Sequence, residues 1–300
     1  MNGMLSGQVA VVTGAGRGLG RSHALTLAKH GASILVNDLG CAVDGTDSSI
    51  SPAEEVVDLI RQNGGRAELS AHDVSNWSQS GQMIEQAIDC FGDLHVLVNN
   101  AGILRDRSFA NMTELEWDDV IRVHLKGHAA PSHHAFNWWK SRSKAGCDIK
   151  ASIVNTTSVA GLYPHFGQAN YCAAKAAIIS LSQVMAVEGA RFGVRSNAIA
   201  PSARSRMFEA PPLPQEGRDP LDPTNVSRLI AWLSRSDCSI SGQAYHVLGD
   251  FLSVFQLSSP IHTIEKDFST DEEAMGDVLN QNTVLIGDIE AFIEQRFGSA

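Results

Sequence analysis

The chain has 300 residues, 43% of them hydrophobic and 19% charged, which is a globular composition and not a disordered one. A formal charge of -10 argues against non-specific binding to nucleic acid or to an acidic membrane surface. The five cysteines at 41, 90, 147, 172 and 238 form no zinc knuckle or CxxC pair, so no metal site is expected and a reducing compartment is.

The start, MNGMLSGQVAVVTGAG, has no basic segment leading into a long apolar one, and no run of 18 apolar residues occurs anywhere. The final RFGSA carries no obvious peroxisomal or retention address. These features predict a cytoplasmic protein without a membrane span.

The apolar run QVAVVTG (8–14) predicts a buried strand ending in glycine, and RSHALTLAKHG (21–31) a helix closed by Gly31. ASILVNDLG (32–40) is the next strand, and the polar stretch after it a loop. Ser51, Pro52 and Glu54 then mark a helix start. RAELSAHDV predicts a third strand, SGQMIEQAIDCFG a helix and DLHVLVNNAG a fourth strand. The segment from Thr113 to Arg142 predicts one long helix or two in series, with Gly127 and Pro131 as candidate breaks. ASIVNTTS (151–158) is a fifth strand, the segment from Tyr171 to Gly193 a helix and VRSNAIAPS a sixth strand. A helix over DPTNVSRLIAWLSRSD and a last strand, GQAYHVLGD, complete the pattern.

Strands alternating with helices of ten or more residues predict parallel βαβ units, and strands without strict polar alternation predict a sheet covered on both faces. Residues 1–252 read as one domain. Residues 253–300 begin apolar and turn acidic, and read as a partly helical extension that packs on the core or on a neighbouring subunit.

TGAGRGLG (13–20) falls between the first strand and the first helix, with spacing G-x-x-x-G-x-G through Gly14, Gly18 and Gly20. Glycine there lets the backbone approach a pyrophosphate and aims helix-start amides at its oxygens; a purely structural turn would use the same residues. No GK[ST] follows, so it is not a Walker A loop. Asp38 ends the second strand, where a carboxylate accepts from ribose hydroxyls and repels a 2′-phosphate. Leu39 and Gly40 add no cation, which favours NAD over NADP, while Arg17 is a mild counter-signal. Asp73, Asn99, Asn100 and Ser158 fall where the third, fourth and fifth strands end, at the edge where such sheets bind ligands.

Tyr171 and Lys175, in YCAAK, are four apart and share a helix face. A phenol titrates near 10, and a lysine cation held close is expected to lower it, so that Tyr171 can exchange a proton with an alcohol. Ser158 can hold the substrate oxygen. The bland alternative is a core tyrosine with a snorkelling lysine.

Together, TGAGRGLG, NNAG, Ser158 and YCAAK resemble the short-chain dehydrogenase/reductase family over about residues 6 to 252. The resemblance implies a doubly wound α/β Rossmann fold with a seven-stranded parallel sheet and helices on both faces. It implies Tyr171 as acid/base, Lys175 as the residue that positions cofactor ribose and tunes the tyrosine, and Ser158 as the oxygen holder. Cofactor roles carry to Gly14, Arg17, Gly18, Leu19, Gly20, Asp38, Asp73, Val74, Asn100, Ala101 and Gly102, with Leu39 beside them. Pro201 matches the family's P-G segment, but Ser202 replaces the glycine.

The segments VNDLG, NNAGILRDRSFANM, VHLKG, GQANY and IAPSARSRM narrow the likeness to the (3R)-hydroxyacyl-CoA dehydrogenase module of multifunctional β-oxidation enzymes and its bacterial relatives. His124 stands where many family members carry an asparagine credited with a proton relay; ring, backbone or neither are all open for it. The implied reaction moves hydride between NAD and the 3-hydroxy/3-oxo group of an acyl-CoA, a steroid-derived or bulky one included. A hydroxysteroid dehydrogenase, a general 3-oxoacyl reductase and a catalytically silent dinucleotide binder are the alternatives. Family members are commonly homotetramers or homodimers. The proline-rich stretch 203–223 reads as a lid, with Arg204, Arg206 and Arg218 as candidate phosphate contacts and Met207, Phe208 and Leu213 as apolar ones. Arg105 and Arg107 are further candidates.

Overall fold

The computed structural model describes residues 3–42, 44, 46, 51–204 and 219–255. One sheet orders the molecule, as β3-β2-β1-β4-β5-β6-β7-β8. Its strands are β1 (Val9–Thr13), β2 (Ser33–Asn37), β3 (Ala67–Ser70), β4 (Val96–Asn99), β5 (Ala151–Thr156), β6 (Val194–Pro201), β7 (Ala244–Leu248) and β8 (Phe251–Phe255). The helices are α1 (Gly18–Lys29), α2 (Ser51–Gln62), α3 (Trp77–Phe91), α4 (Glu114–Ile121), α5 (Gly127–Lys144), α6 (Ala169–Gly189) and α7 (Pro223–Leu233). The first seven strands are parallel, as expected of a Rossmann sheet.

Alternation along each strand divides the core in two. Val12, Val36, Val98, Val154 and Ile199 face one way and join Leu27, Val56 and Ile230 from α1, α2 and α7. Val11, Leu35, Leu97 and Ile153 face the other way and join Met83, Trp139 and Met185 from α3, α5 and α6. Strands buried on both faces carry no polar alternation, which is why they read as continuous apolar runs.

The sheet has an eighth strand that the seven-strand expectation lacks. β8 runs antiparallel to β7, with Leu248 paired to Phe251 across Gly249 and Asp250. Gly249 has φ +54, the left-handed backbone that a two-residue hairpin turn requires. β8 runs across the boundary expected at 252; residues 256–300 of the expected extension lie outside the described residues.

The long helical segment is interrupted, but not by Pro131, which sits inside α5. A π-helical stretch, Arg122–Lys126, joins α4 to α5. Such a stretch adds one residue to a turn and rotates the side chains that follow. α4 itself starts at a capping box, with the Thr113 hydroxyl accepting from the Glu116 N–H and Glu116 accepting from the Thr113 N–H. The stretch Ala169–Phe192, which contains α6, is long and apolar enough by composition to cross a bilayer, but 44% of that window is buried inside the fold.

A polar chain crosses the sheet under α5 and α6. The Asn99 amide donates to Ser132 and to Asn155 Oδ1, both at 2.9 Å. Asn155 donates in turn to Ser182 and Ser196 at 3.2 Å. All five residues are buried, so each bond satisfies a group that water cannot reach. Asn155→Leu strands partners on three sides and is expected to lower the unfolding free energy by about 2–4 kcal/mol in urea titration. A change under about 0.5 kcal/mol would show that the chain is not a structural element.

Candidate active site

Strand order reverses between β1 and β4, and a cleft of about 290 Å³ opens there beyond the strand ends. Gly14, Arg17, Gly18, Leu19, Gly20, Asp38, Leu39, Asp73, Val74, Asn100, Ala101 and Gly102 all line it. Tyr171, Lys175 and Pro201 are not among its lining residues. Cys41, His72, Asp119, Arg122 and Val123 line it without having been expected to, and Arg105, expected on the substrate side, lines it as well. They come from loops, from α4 and from the π-helical stretch, whose placement against the strand ends no local sequence signal carries.

The glycine turn is a cradle that side chains would fill. A Cβ on Gly20 would lie 2.0 Å from the Gly14 carbonyl oxygen, and one on Gly14 would lie 2.9 Å from Ala101 Cα. Gly14 and Gly18 hold φ of +64 and +52. α1 begins directly behind this turn with no side-chain cap and no acidic residue in its first turn, so its free amides and positive dipole end suit an anion. Asp38 is held by two backbone donors, Gly16 N–H at 2.7 Å and Gly40 N–H at 2.6 Å. These residues fit a dinucleotide.

NNAG is anchored to β1. The Asn100 side chain donates to the Thr13 carbonyl at 3.0 Å, and the N–H groups of Asn100 and Ala101 donate to Thr13 Oγ1 at 2.9 and 3.1 Å. Gly102 is required by its neighbour, because a Cβ there would sit 2.3 Å from His124 Cε1. Asp73 lies three residues past the end of β3, not on it. Its Oδ1 accepts from Ser75, and Arg122 stands 3.8 Å from its other oxygen.

Ser158 lies just beyond β5 and caps a short 3-10 turn, accepting from the Ala160 N–H at 3.2 Å. Its side chain also stands close enough to the Tyr171 hydroxyl to favour the phenolate. Lys175 Nζ lies 5.4 Å from the Tyr171 ring centroid. The lysine is 2% exposed, and its ammonium donates to the Thr156 carbonyl at 2.6 Å. Ser158, Tyr171 and Lys175 are therefore brought together.

The expected tuning is reversed in this state. Burial pushes the Tyr171 phenol up to about 12, with Ser158 opposing it. Burial also brings the Lys175 ammonium down to about 7. Desolvation disfavours both charged forms.

His124, on the π-helical stretch, is buried and sets its ring edge-on to Tyr171, with centroids 5.2 Å apart. Its Nε2 lies 2.7 Å from the Ile103 carbonyl oxygen and 3.1 Å from the Ile103 nitrogen. Burial holds it well below the usual histidine range, so the ring is neutral at pH 7. Pro201 ends β6, and Ser202, in place of glycine, bonds His246 at 3.0 Å.

Of the candidate phosphate-binding arginines, Arg105 pairs with Asp119, Arg107 with Glu116 and Arg204 with Asp219. Arg206, Met207, Phe208, Leu213 and Arg218 lie outside the described residues. Among the described residues no group of three His, Cys, Asp or Glu side chains is placed to hold a metal ion.

The lysine result has a thermodynamic signature. Between pH 7 and the ordinary lysine range the unfolded chain carries a proton on Lys175 that the folded chain does not, so stability rises with pH across that window. Lys175→Met lacks this term. Its melting temperature, measured relative to the parent, is expected to be higher near pH 7 and to lose that advantage towards pH 10. A difference independent of pH would refute the shifted lysine.

Residues 8–209 match the family model described as short chain dehydrogenase. The chain is 40% identical over 242 residues to the peroxisomal multifunctional enzyme type 2 of Mus musculus, covering 80% of this chain but only 31% of that enzyme. It is 41% identical to the hydroxyacyl-CoA dehydrogenase ChsB1 of Mycobacterium tuberculosis, covering 89% of this chain and 84% of that one. A crystal structure of a short chain dehydrogenase from Mycobacterium avium superposes with a TM-score of 0.85 at 42% identity, covering 95% and 99% of the two chains. Several relatives carry the word peroxisomal in their names, which overturns the cytoplasmic expectation. That expectation rested on a missing address, and a missing address places nothing. The alternative of a catalytically silent dinucleotide binder is set aside as well. The chain belongs to the short-chain dehydrogenase family, as an NAD(P)-dependent oxidoreductase closely related to hydroxyacyl-CoA dehydrogenase-type enzymes.

Proposed function

We propose that the protein interconverts the 3-hydroxy and 3-oxo groups of an acyl-CoA with NAD as cofactor. The observation that carries this reading is the convergence of Ser158, Tyr171 and Lys175 next to the cleft's Gly102 and Ile103. The name of the mycobacterial relative, a hydroxyacyl-CoA dehydrogenase, suggests the substrate class.

Gly14, Gly18, Gly20 and the start of α1 would hold the pyrophosphate, and Asp38 the adenosine ribose, with Asp73 and Val74 at the adenine end. The nicotinamide, when bound, supplies the hydride acceptor or donor. Ser158 donates a hydrogen bond to the substrate oxygen and holds it against the Tyr171 hydroxyl. A phenol near 12 is protonated at pH 7, so Tyr171 is ready to donate a proton to a developing alkoxide. In the oxidative direction Tyr171 must first lose that proton, so oxidation is expected to accelerate as pH rises through the alkaline range. Asp38 would disfavour a 2′-phosphate by like-charge repulsion.

We assign α6 to the core and to a subunit contact, because Val184 and Val187 are 50% and 80% exposed on a helix whose other side packs on β6. A homodimer or homotetramer through this helix would cover them.

The test is a panel with NAD or NADP against 3-hydroxyacyl-CoA esters of short, long and bulky chains, free steroid alcohols and simple alcohols, read as reduced nicotinamide. The expected result is turnover of CoA esters with NAD at least about tenfold above NADP, a gap of about 1.4 kcal/mol. Steroid turnover with every CoA ester inert contradicts the substrate assignment, and equal use of NADP contradicts the role of Asp38.

A further inference from the structure

One cleft-lining arginine has no part in the chemistry above. Arg122 opens the π-helical stretch, and its guanidinium sits at the cleft's outer rim. One nitrogen, Nη1, donates to Ser75 Oγ at 2.7 Å and stands 3.8 Å from Asp73 Oδ2. The other, Nη2, donates to Asp119 Oδ1 at 3.0 Å. The buried Ser75 passes the contact on: its N–H and its hydroxyl both donate to Asp73 Oδ1, at 2.8 and 2.7 Å.

These bonds fix a carboxylate that would otherwise turn. Asp73 lies in the connection between β3 and α3, where no strand pairing holds it. Its main-chain N–H donates to Gln79 Oε1 at 2.8 Å, so the backbone and one side-chain oxygen are both tied. The second oxygen, Oδ2, meets the guanidinium beyond hydrogen-bond reach and is left for a donor from the cleft. An ion pair with side chains 47% and 30% exposed contributes little to stability. The arrangement is better explained by what it orients than by what it stabilises.

We propose that Arg122 is a positioning residue for adenine recognition: its guanidinium, anchored on Asp119, orients Ser75 and Asp73 so that Asp73 Oδ2 accepts a hydrogen bond from the exocyclic amino group of adenine. Arginine suits this task because its planar fork holds two acceptors at once, where a lysine is a point charge on a flexible stem. A carboxylate set to accept from an amino group also rejects a base that presents a carbonyl oxygen in its place. The inference rests on the reading that Asp73 sits at the adenine end of a bound dinucleotide, and its readout is binding, not turnover.

The experiment titrates the parent, Arg122→Met and Arg122→Lys with NAD and with nicotinamide hypoxanthine dinucleotide, in which a carbonyl replaces that amino group, by isothermal titration calorimetry. The parent is expected to prefer NAD by about tenfold or more, the worth of a hydrogen bond to a charged group. In Arg122→Met the preference is expected to fall to about twofold or less, and in Arg122→Lys to fall nearly as far, because the fork is gone. Arg122→Lys serves alone if Arg122→Met does not fold. A parent that binds both dinucleotides equally, a methionine variant that keeps the parental preference, or full rescue by lysine overturns the proposal. So does an equal loss of affinity for both dinucleotides with the preference intact, which marks a merely structural arginine. The expected pattern in a chain inert towards every CoA ester would defeat the proposed function and leave this inference standing; turnover of CoA esters with NAD by a parent that lacks the preference would do the reverse.

Discussion

The ammonium of Lys175, sealed under the sheet's edge and tied to the Thr156 carbonyl, is the constraint around which the site is arranged. A charge this deep is costly unless neighbours satisfy it. The fold meets that need only in part, with one carbonyl acceptor, and burial brings the ammonium down to about 7. β5 ends so that its last carbonyl turns towards α6, α6 carries lysine and tyrosine on one face, and the π-helical stretch brings His124 against the tyrosine's edge.

The same arrangement explains the glycine of NNAG. Gly102 is small because His124 Cε1 occupies the space a Cβ would need. The cleft and Tyr171 therefore share a wall. One side of that wall is Ala101, Gly102 and Ile103 facing the cleft; the other is His124 packed edge-on to Tyr171. Arg122, at the start of the π-helical stretch, reaches Ser75 and Asp119 at the cleft's outer rim, so a single distorted turn serves both ends of the site.

Much of this was legible in the residue order, for physical reasons. Buried parallel strands are apolar on both faces, and a phosphate cradle demands glycine at fixed spacing, so β1 to β7 and the lining from Gly14 to Gly102 could be placed. β8 escaped because FLSVF was grouped with the tail, although Gly249-Asp250 ahead of it is a hairpin signal. The π-helical stretch left no trace because Val120, His124 and Gly127, all buried, keep the i, i+4, i+7 spacing that a regular helix would show as well. The raised phenol was not legible because a lysine four residues away is visible in sequence, whereas desolvation by tertiary packing is not.

The central claim is that Tyr171 exchanges the substrate's proton. It is tested most directly by single-turnover hydride transfer in Tyr171→Phe, with NAD affinity measured alongside. The account predicts a rate lower by about 10²–10⁴-fold with cofactor affinity within a few-fold of the parent. A near-parental rate in that variant would contradict it.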